Sequence, residues 1–162
     1  MRTRYSTRIL LLAVAFTIAV PAMAQAPDAW LGTWKLNIAK SKFEPASLAP
    51  KSQTVKQEAI AGGGTKVTVD GVDSAGKTVS YVLTIMWDGK PVAIPGAPDA
   101  NTTRVYKRVD SRTYDFVQSV AGKVTTTSRS VVAADGKTRT ITTTGKNAQG
   151  QTVNNVSVYD RQ

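Results

Sequence analysis

Between Thr78 and Trp87 the chain alternates: Val79, Tyr81, Leu83, Ile85 and Trp87 fall on one side of the pattern, with Thr78, Ser80 and Thr84 on the other. A period of two marks a strand with one buried face, because successive side chains point to opposite sides of the pleat. The stretch therefore predicts one long strand with a strongly apolar face. Runs rich in Val, Thr, Ile and Tyr predict further strands over Thr33 to Ile38, Gln53 to Ile60, Thr65 to Asp70, Thr102 to Val109, Thr113 to Val120, Val124 to Val132, Lys137 to Thr144 and Val153 to Asp160. A shorter run, Pro91 to Ile94, predicts an edge or bent strand, since proline cannot donate to a ladder.

The punctuation is equally regular. Gly62-Gly63-Gly64, Ser74-Ala75-Gly76, Asp88-Gly89, Ala121-Gly122 and Asp135-Gly136 are short glycine-bearing connections, and Asp-Gly pairs suit the left-handed positions of tight hairpins. About ten strands in sequence-neighbour order, with nothing helical between them, predict an all-β fold. The expected architecture is an antiparallel up-and-down β-barrel, because closure removes exposed strand edges. An open two-sheet sandwich is the alternative. Lys40 to Lys51 is the one longer connection, and Pro45 and Pro50 oppose a stable helix there.

The first 24 residues have a different character. Arg2, Arg4 and Arg8 precede the apolar run Ile9 to Val20, which Pro21 closes, and Ala22-Met23-Ala24 follows. This is the order of a secretory signal peptide, and the apolar run falls short of the ~20 residues of a membrane-spanning helix. The expected organisation is a signal peptide over 1–24 and a single barrel domain over 25–162, exported to the periplasm or secreted, with no membrane span in the mature chain. No cysteine for a lipid anchor is present.

Composition narrows the chemistry. The chain contains no cysteine and no histidine, which removes disulfides, thiol or imidazole nucleophiles, Ser-His-Asp triads and zinc or haem sites built on those ligands. No metal, cofactor or catalytic group is expected. The formal charge is +10, three units of which leave with Arg2, Arg4 and Arg8. The lysines that follow glycine, at Lys77, Lys90, Lys123, Lys137 and Lys146, belong to turns that a meander distributes over both barrel ends. They read as solubility and edge-protecting charges. Arg104, Lys107 and Arg108 form the one dense basic cluster, and no arginine-aromatic interleaving of single-strand binders accompanies it, so no nucleic-acid partner is expected. Gly71 to Thr78 fits the phosphate-loop pattern G-x-x-x-x-G-K-[ST], but Thr78 opens a strand, where that chemistry needs a helix N-terminus. The in-strand acids Glu58, Asp115 and Asp160 are read as solvent-facing, with no two at acid/base spacing.

Two short segments carry a resemblance. Trp30-Leu31-Gly32-Thr33-Trp34-Lys35-Leu36, with its G-x-W triplet, resembles the opening strand of lipocalins and their calycin relatives. Asn155 to Arg161 resembles the closing strand of fatty-acid-binding proteins, with Tyr159 on the matching tyrosine. The resemblance implies a barrel whose floor is closed by Trp34, packed under a basic residue; period two makes Arg161 the candidate. Three departures stand out. Ser157 occupies the position at which fatty-acid-binding proteins carry a carboxylate-holding arginine, the helical pair after the first strand has no counterpart, and Thr113-Tyr114-Asp115 only reorders the lipocalin T-D-Y signature. The chain also resembles small exported bacterial proteins that begin G-T-W-K-L-N.

The expected function is that of an extracytoplasmic, non-catalytic binding protein holding a small, uncharged, partly apolar molecule inside the barrel. The candidate lining is Tyr81, Leu83, Ile85, Trp87, Asn155, Ser157 and Tyr159, with Trp34 and Arg161 as floor. The alternative is a structural or inhibitory envelope protein acting through its basic surface. An internal cavity of ~300 Å³ or more favours the first over the second.

Overall fold

The computed structural model describes residues 27–162, so the expected signal segment lies outside the described residues. Ten strands are present: β1 Gly32–Leu36, β2 Ser52–Ala59, β3 Thr65–Val72, β4 Thr78–Ile85, β5 Val92–Ala93, β6 Thr102–Arg108, β7 Thr113–Val120, β8 Lys123–Val132, β9 Thr138–Lys146 and β10 Thr152–Arg161. Their β-branched content is what a pleated, half-buried surface selects. β1 stops short of Ile38 because the Asn37 side chain accepts a hydrogen bond from Lys40 N and starts a 3-10 turn at Ile38–Lys40.

All ten strands belong to one antiparallel sheet, in the order β4-β3-β2-β1-β10-β9-β8-β7-β6-β5. The chain termini thus pair with each other, Trp34 opposite Arg161 and Leu36 opposite Tyr159. The sheet curls until its two ends meet: Trp87, just beyond β4, lies 6.4 Å from Tyr106 of β6 and 5.6 Å from Tyr114 of β7, ring centre to ring centre. The result is a nearly closed barrel with a seam between β4 and β5, and the sandwich alternative is set aside.

Between β1 and β2 the proline-bearing connection forms only two 3-10 turns, Ile38–Lys40 and Ala46–Leu48. The phosphate-loop match is a β3–β4 hairpin, in which Asp73 N donates to Lys77 O at 2.9 Å. Because the hairpins alternate, Lys77, Lys123 and Lys146 fall at one end of the barrel and Lys90 and Lys137 at the other. The three acids read as solvent-facing sit in surface ion pairs, Glu58 with Lys56, Asp115 with Arg129 and Asp160 with Lys40.

Candidate functional site: the barrel interior

The floor is built from the two chain ends. Gly32 has φ +119°, and a Cβ there would lie 2.6 Å from Arg161 Nη1, so glycine at this point lets a guanidinium cross the backbone. Arg161 sits 4.2 Å from the ring centre of the fully buried Trp34. Its three N–H directions donate to the carbonyls of Leu31 (2.8 Å), Ala29 (2.5 Å) and Gly136 (2.6 Å). Trp34 Nε1 donates to Trp30 O at 2.7 Å, which fixes the entering chain and drives Trp30, also fully buried, under the barrel. Neither Trp34 nor Arg161 lines the cavity above.

Trp87 is a correction to the expected lining. Strand β4 ends at Ile85, and Trp87 has φ +58°, a left-handed conformation uncommon for a bulky residue. That turn breaks the period-2 face and sends the indole beneath the barrel, 5.4 Å from Trp30, where Nε1 donates to Thr65 Oγ1 at 3.1 Å. Trp87 is therefore part of the floor cluster and not of the cavity wall.

Above the floor lies a cavity of about 690 Å³. One wall is mostly apolar, with Val55 of β2, Val67 and Val69 of β3, and Tyr81, Leu83 and Ile85 of β4, interrupted by Gln53 and Gln57 of β2. The facing wall carries hydroxyls and amides, with Thr126 and Ser128 of β8, Thr143 of β9, and Asn155 and Ser157 of β10. Phe43, Leu48 and Pro50 reach over the mouth from the β1–β2 connection. Asn155 is already committed, since its Oδ1 accepts from Glu44 N at 2.9 Å and ties that connection to β10. Tyr159 is buried at the inner end and donates its hydroxyl proton to Gln53 Oε1 at 2.5 Å. Burial pushes its phenol up to about 12, so it stays neutral at ordinary pH. Burial also raises the Tyr106 phenol, an effect the adjacent Arg104 only partly offsets.

The expectation of an uncharged ligand rested on a candidate lining with no cation above the floor, and the cavity differs from it. Arg104 and Arg139 both line the cavity. Arg104 donates from Nε to Gln118 Oε1 at 3.0 Å and lies 5.2 Å from the Phe116 ring centre. Arg139 is only 1% exposed, sits between the Tyr159 and Trp34 rings at 4.7 and 5.1 Å, and donates from Nη1 to Gln57 Oε1. Neither takes part in an ion pair among the described residues. The effective penalty for burying a lone cation is several kcal/mol, of which facing rings return about 2 each at best.

The basic cluster read from the sequence dissolves in the same way. Alternation along β6 turns Arg104 inward and leaves Lys107 exposed, while Arg108 pairs with Asp28 and lies 5.3 Å from the Trp30 ring centre. Besides the arginines, the sequence reading missed Trp30, Gln57 and the valines of β2 and β3. A signal was there: Arg139 is in phase with Ile141, and Arg104 with Tyr106, so each arginine shares the inward face of its strand.

No protein-family model and no curated protein sequence matches this chain. Among solved structures, the crystal structure of the wild-type fluorescent protein UnaG is similar at 17% identity, with a TM-score of 0.57 over 82% of this chain and 97% of that one. A point mutant of UnaG is similar at 18% identity and a TM-score of 0.58, over 83% and 96%. The fold is a ten-stranded antiparallel up-and-down β-barrel similar to that of these structures. At this identity the likeness speaks for the fold alone; the cations that line the cavity stand on β6 and β9, not on the closing strand.

Proposed function

We propose that the protein is an extracytoplasmic, non-catalytic binding protein that holds one small, partly apolar molecule inside the barrel. The observation that carries this reading is the 690 Å³ cavity with one mostly apolar wall and one rich in hydroxyls and amides. Its volume is in the range of small-molecule sites and well above the ~300 Å³ that separates a site from a packed core. Ten strands give a barrel wide enough to enclose a single ligand. The non-catalytic part rests on the interior groups. They are arginines, neutral phenols, hydroxyls and amides, with no nucleophile–base pair assembled among the described residues. The restriction to uncharged ligands loses its premise with Arg104 and Arg139 inside, and the partly apolar body remains.

The test is titration of the protein, produced from its full chain and checked for a first residue of Gln25, with the neutral fluorescent probe N-phenyl-1-naphthylamine. One probe per chain is expected, and Ser157→Trp, which fills the cavity from β10, should weaken binding at least about tenfold, or ~1.4 kcal/mol. Equal affinity in the two proteins, or no binding to the wild type, would move the function to the outer surface.

A further inference from the structure

We propose that the inner end of the cavity is a seat for an anionic oxygen group, held by Arg139 with the Gln57 amide beside it and the Ser130 hydroxyl behind the cavity wall. The inference rests on the reading of the barrel as a binding cavity and specifies one end of the ligand. Arg139 makes a single hydrogen bond, to Gln57 Oε1, and its buried Nε has no partner among the described residues. Ser130 is 0% exposed, and its Oγ likewise has no partner. Ser130 stands opposite Ile141, and Val132 opposite Arg139. Ser130 and Arg139 are thus diagonal neighbours on one inward face, a spacing long side chains bridge. Gln57 is 2% exposed and faces Arg139 with its oxygen, because guanidinium cannot accept. Its NH₂ is left as a further donor.

The seat therefore offers two donors that cannot accept, one hydroxyl that adapts, and a full positive charge. An oxyanion satisfies all of them, whereas a water leaves the charge uncompensated and a cation is repelled. The other arginines sharpen the point. Arg161 has its fork occupied by three carbonyls, Arg108 has Asp28, and Arg129 has Asp115. Arg139 is the most deeply buried and has only the Gln57 amide oxygen; Arg104, the other arginine of the cavity, has the Gln118 amide oxygen on its Nε, whereas the Arg139 Nε has nothing.

Two probes that differ by one acid group provide the test: 1-anilinonaphthalene-8-sulfonate and its neutral parent N-phenyl-1-naphthylamine. The wild type should bind the sulfonate about tenfold tighter or more, and Arg139→Met should bring the ratio of the two affinities close to one. A ratio near one in the wild type, or one that survives in Arg139→Met, overturns the seat. Binding of neither probe instead overturns the cavity reading beneath it. Should Arg139→Met fail to fold, Ser130→Asp gives the second readout, because it builds a carboxylate into the seat. That variant should unfold at a higher temperature and lose the preference for the sulfonate; an unchanged ratio overturns the proposal. Acetate at constant ionic strength separates the sources of the anion. If it stabilises the wild type but not Arg139→Met while the two probes bind alike, the seat serves a free carboxylate and the ligand-borne acid is overturned.

Discussion

The two ends of the barrel are made by the same strands and differ in side-chain size. At the floor, β7, β8, β9 and β10 carry Tyr114, Val132, Arg139 and Tyr159, all buried, and Trp30 and Trp34 fill the space between them. Further along, β8 carries Ser128 and Thr126, β9 Thr143 and β10 Ser157, and the space between the walls stays open. The contrast ties the hollow to small residues on one wall, within a barrel that ten strands make wide enough to leave it. It also separates two kinds of interior cation. Arg161, below the Trp34 ring, is held by carbonyls and works as structure, whereas Arg139, above the same ring, borders the cavity and keeps a buried Nε without a partner.

The largest effect should come from breaking the solid end. Trp34→Ala removes a fully buried indole, its hydrogen bond to Trp30 and the stacking surface of two arginines. Truncation of such an aromatic costs roughly 3–5 kcal/mol, a large part of a small domain's stability. Trp87→Ala should cost less, since its ring is only half-buried. Denaturant midpoints decide the order. Equal losses would mean that the floor is one undivided aromatic cluster, without a keystone under Arg161.

A smaller effect lies where floor and cavity meet. The Tyr159 phenol titrates at about 12 when folded, because it is buried, against an ordinary value near ~10. Its contribution is fully present below pH ~10 and is lost as pH rises through 12, because in that window the unfolded chain releases a proton that the folded chain keeps. Two units correspond to roughly 2–3 kcal/mol. The stability difference between wild type and Tyr159→Phe should therefore shrink by about that amount between pH ~9 and ~12. A constant difference across the window would show that the phenol is hydrated from the cavity side.

The sequence revealed the solid parts of this comparison better than the hollow one. Alternation located all ten strands, and the G-x-W triplet with period two along the last strand brought Trp34 and Arg161 to the same end. Both signals are local: a strand's inward face follows from its own residues. The cavity depends on pairs distant in sequence. Gln57 and Arg139 meet only because β1 pairs with both β2 and β10. Trp87 was misplaced because one left-handed residue after Ile85 ends the alternation, and tryptophan gives no warning of such a turn. The inward arginines were legible in principle, but charge on a strand face is ordinarily solvent-facing, and composition gave no reason to override that rule.

The smallest effect tests whether place, and not charge alone, sets Arg139 apart. Arg129 is an outer-face arginine with a carboxylate of its own: Asp115 accepts from its Nε and Nη2, both at 2.8 Å. Arg129, the hydrogen-bonding partner, and with it Lys107 hold the Asp115 carboxyl below the ordinary range. Both members reach solvent, so screening reduces the pair to about 0–1 kcal/mol, fading further in ~1 M salt, where charges more than about 3 Å apart are screened. Arg129→Gln should thus shift the denaturation midpoint slightly. It removes the same unit charge as Arg139→Met, from the same barrel, and should leave the ratio of sulfonate to neutral probe affinity where it was. A matching fall in that ratio would mean that the preference for the anion comes from the protein's overall positive field. An unchanged ratio assigns it to the buried group, because a field that acts from the surface cannot distinguish Arg129 from Arg139.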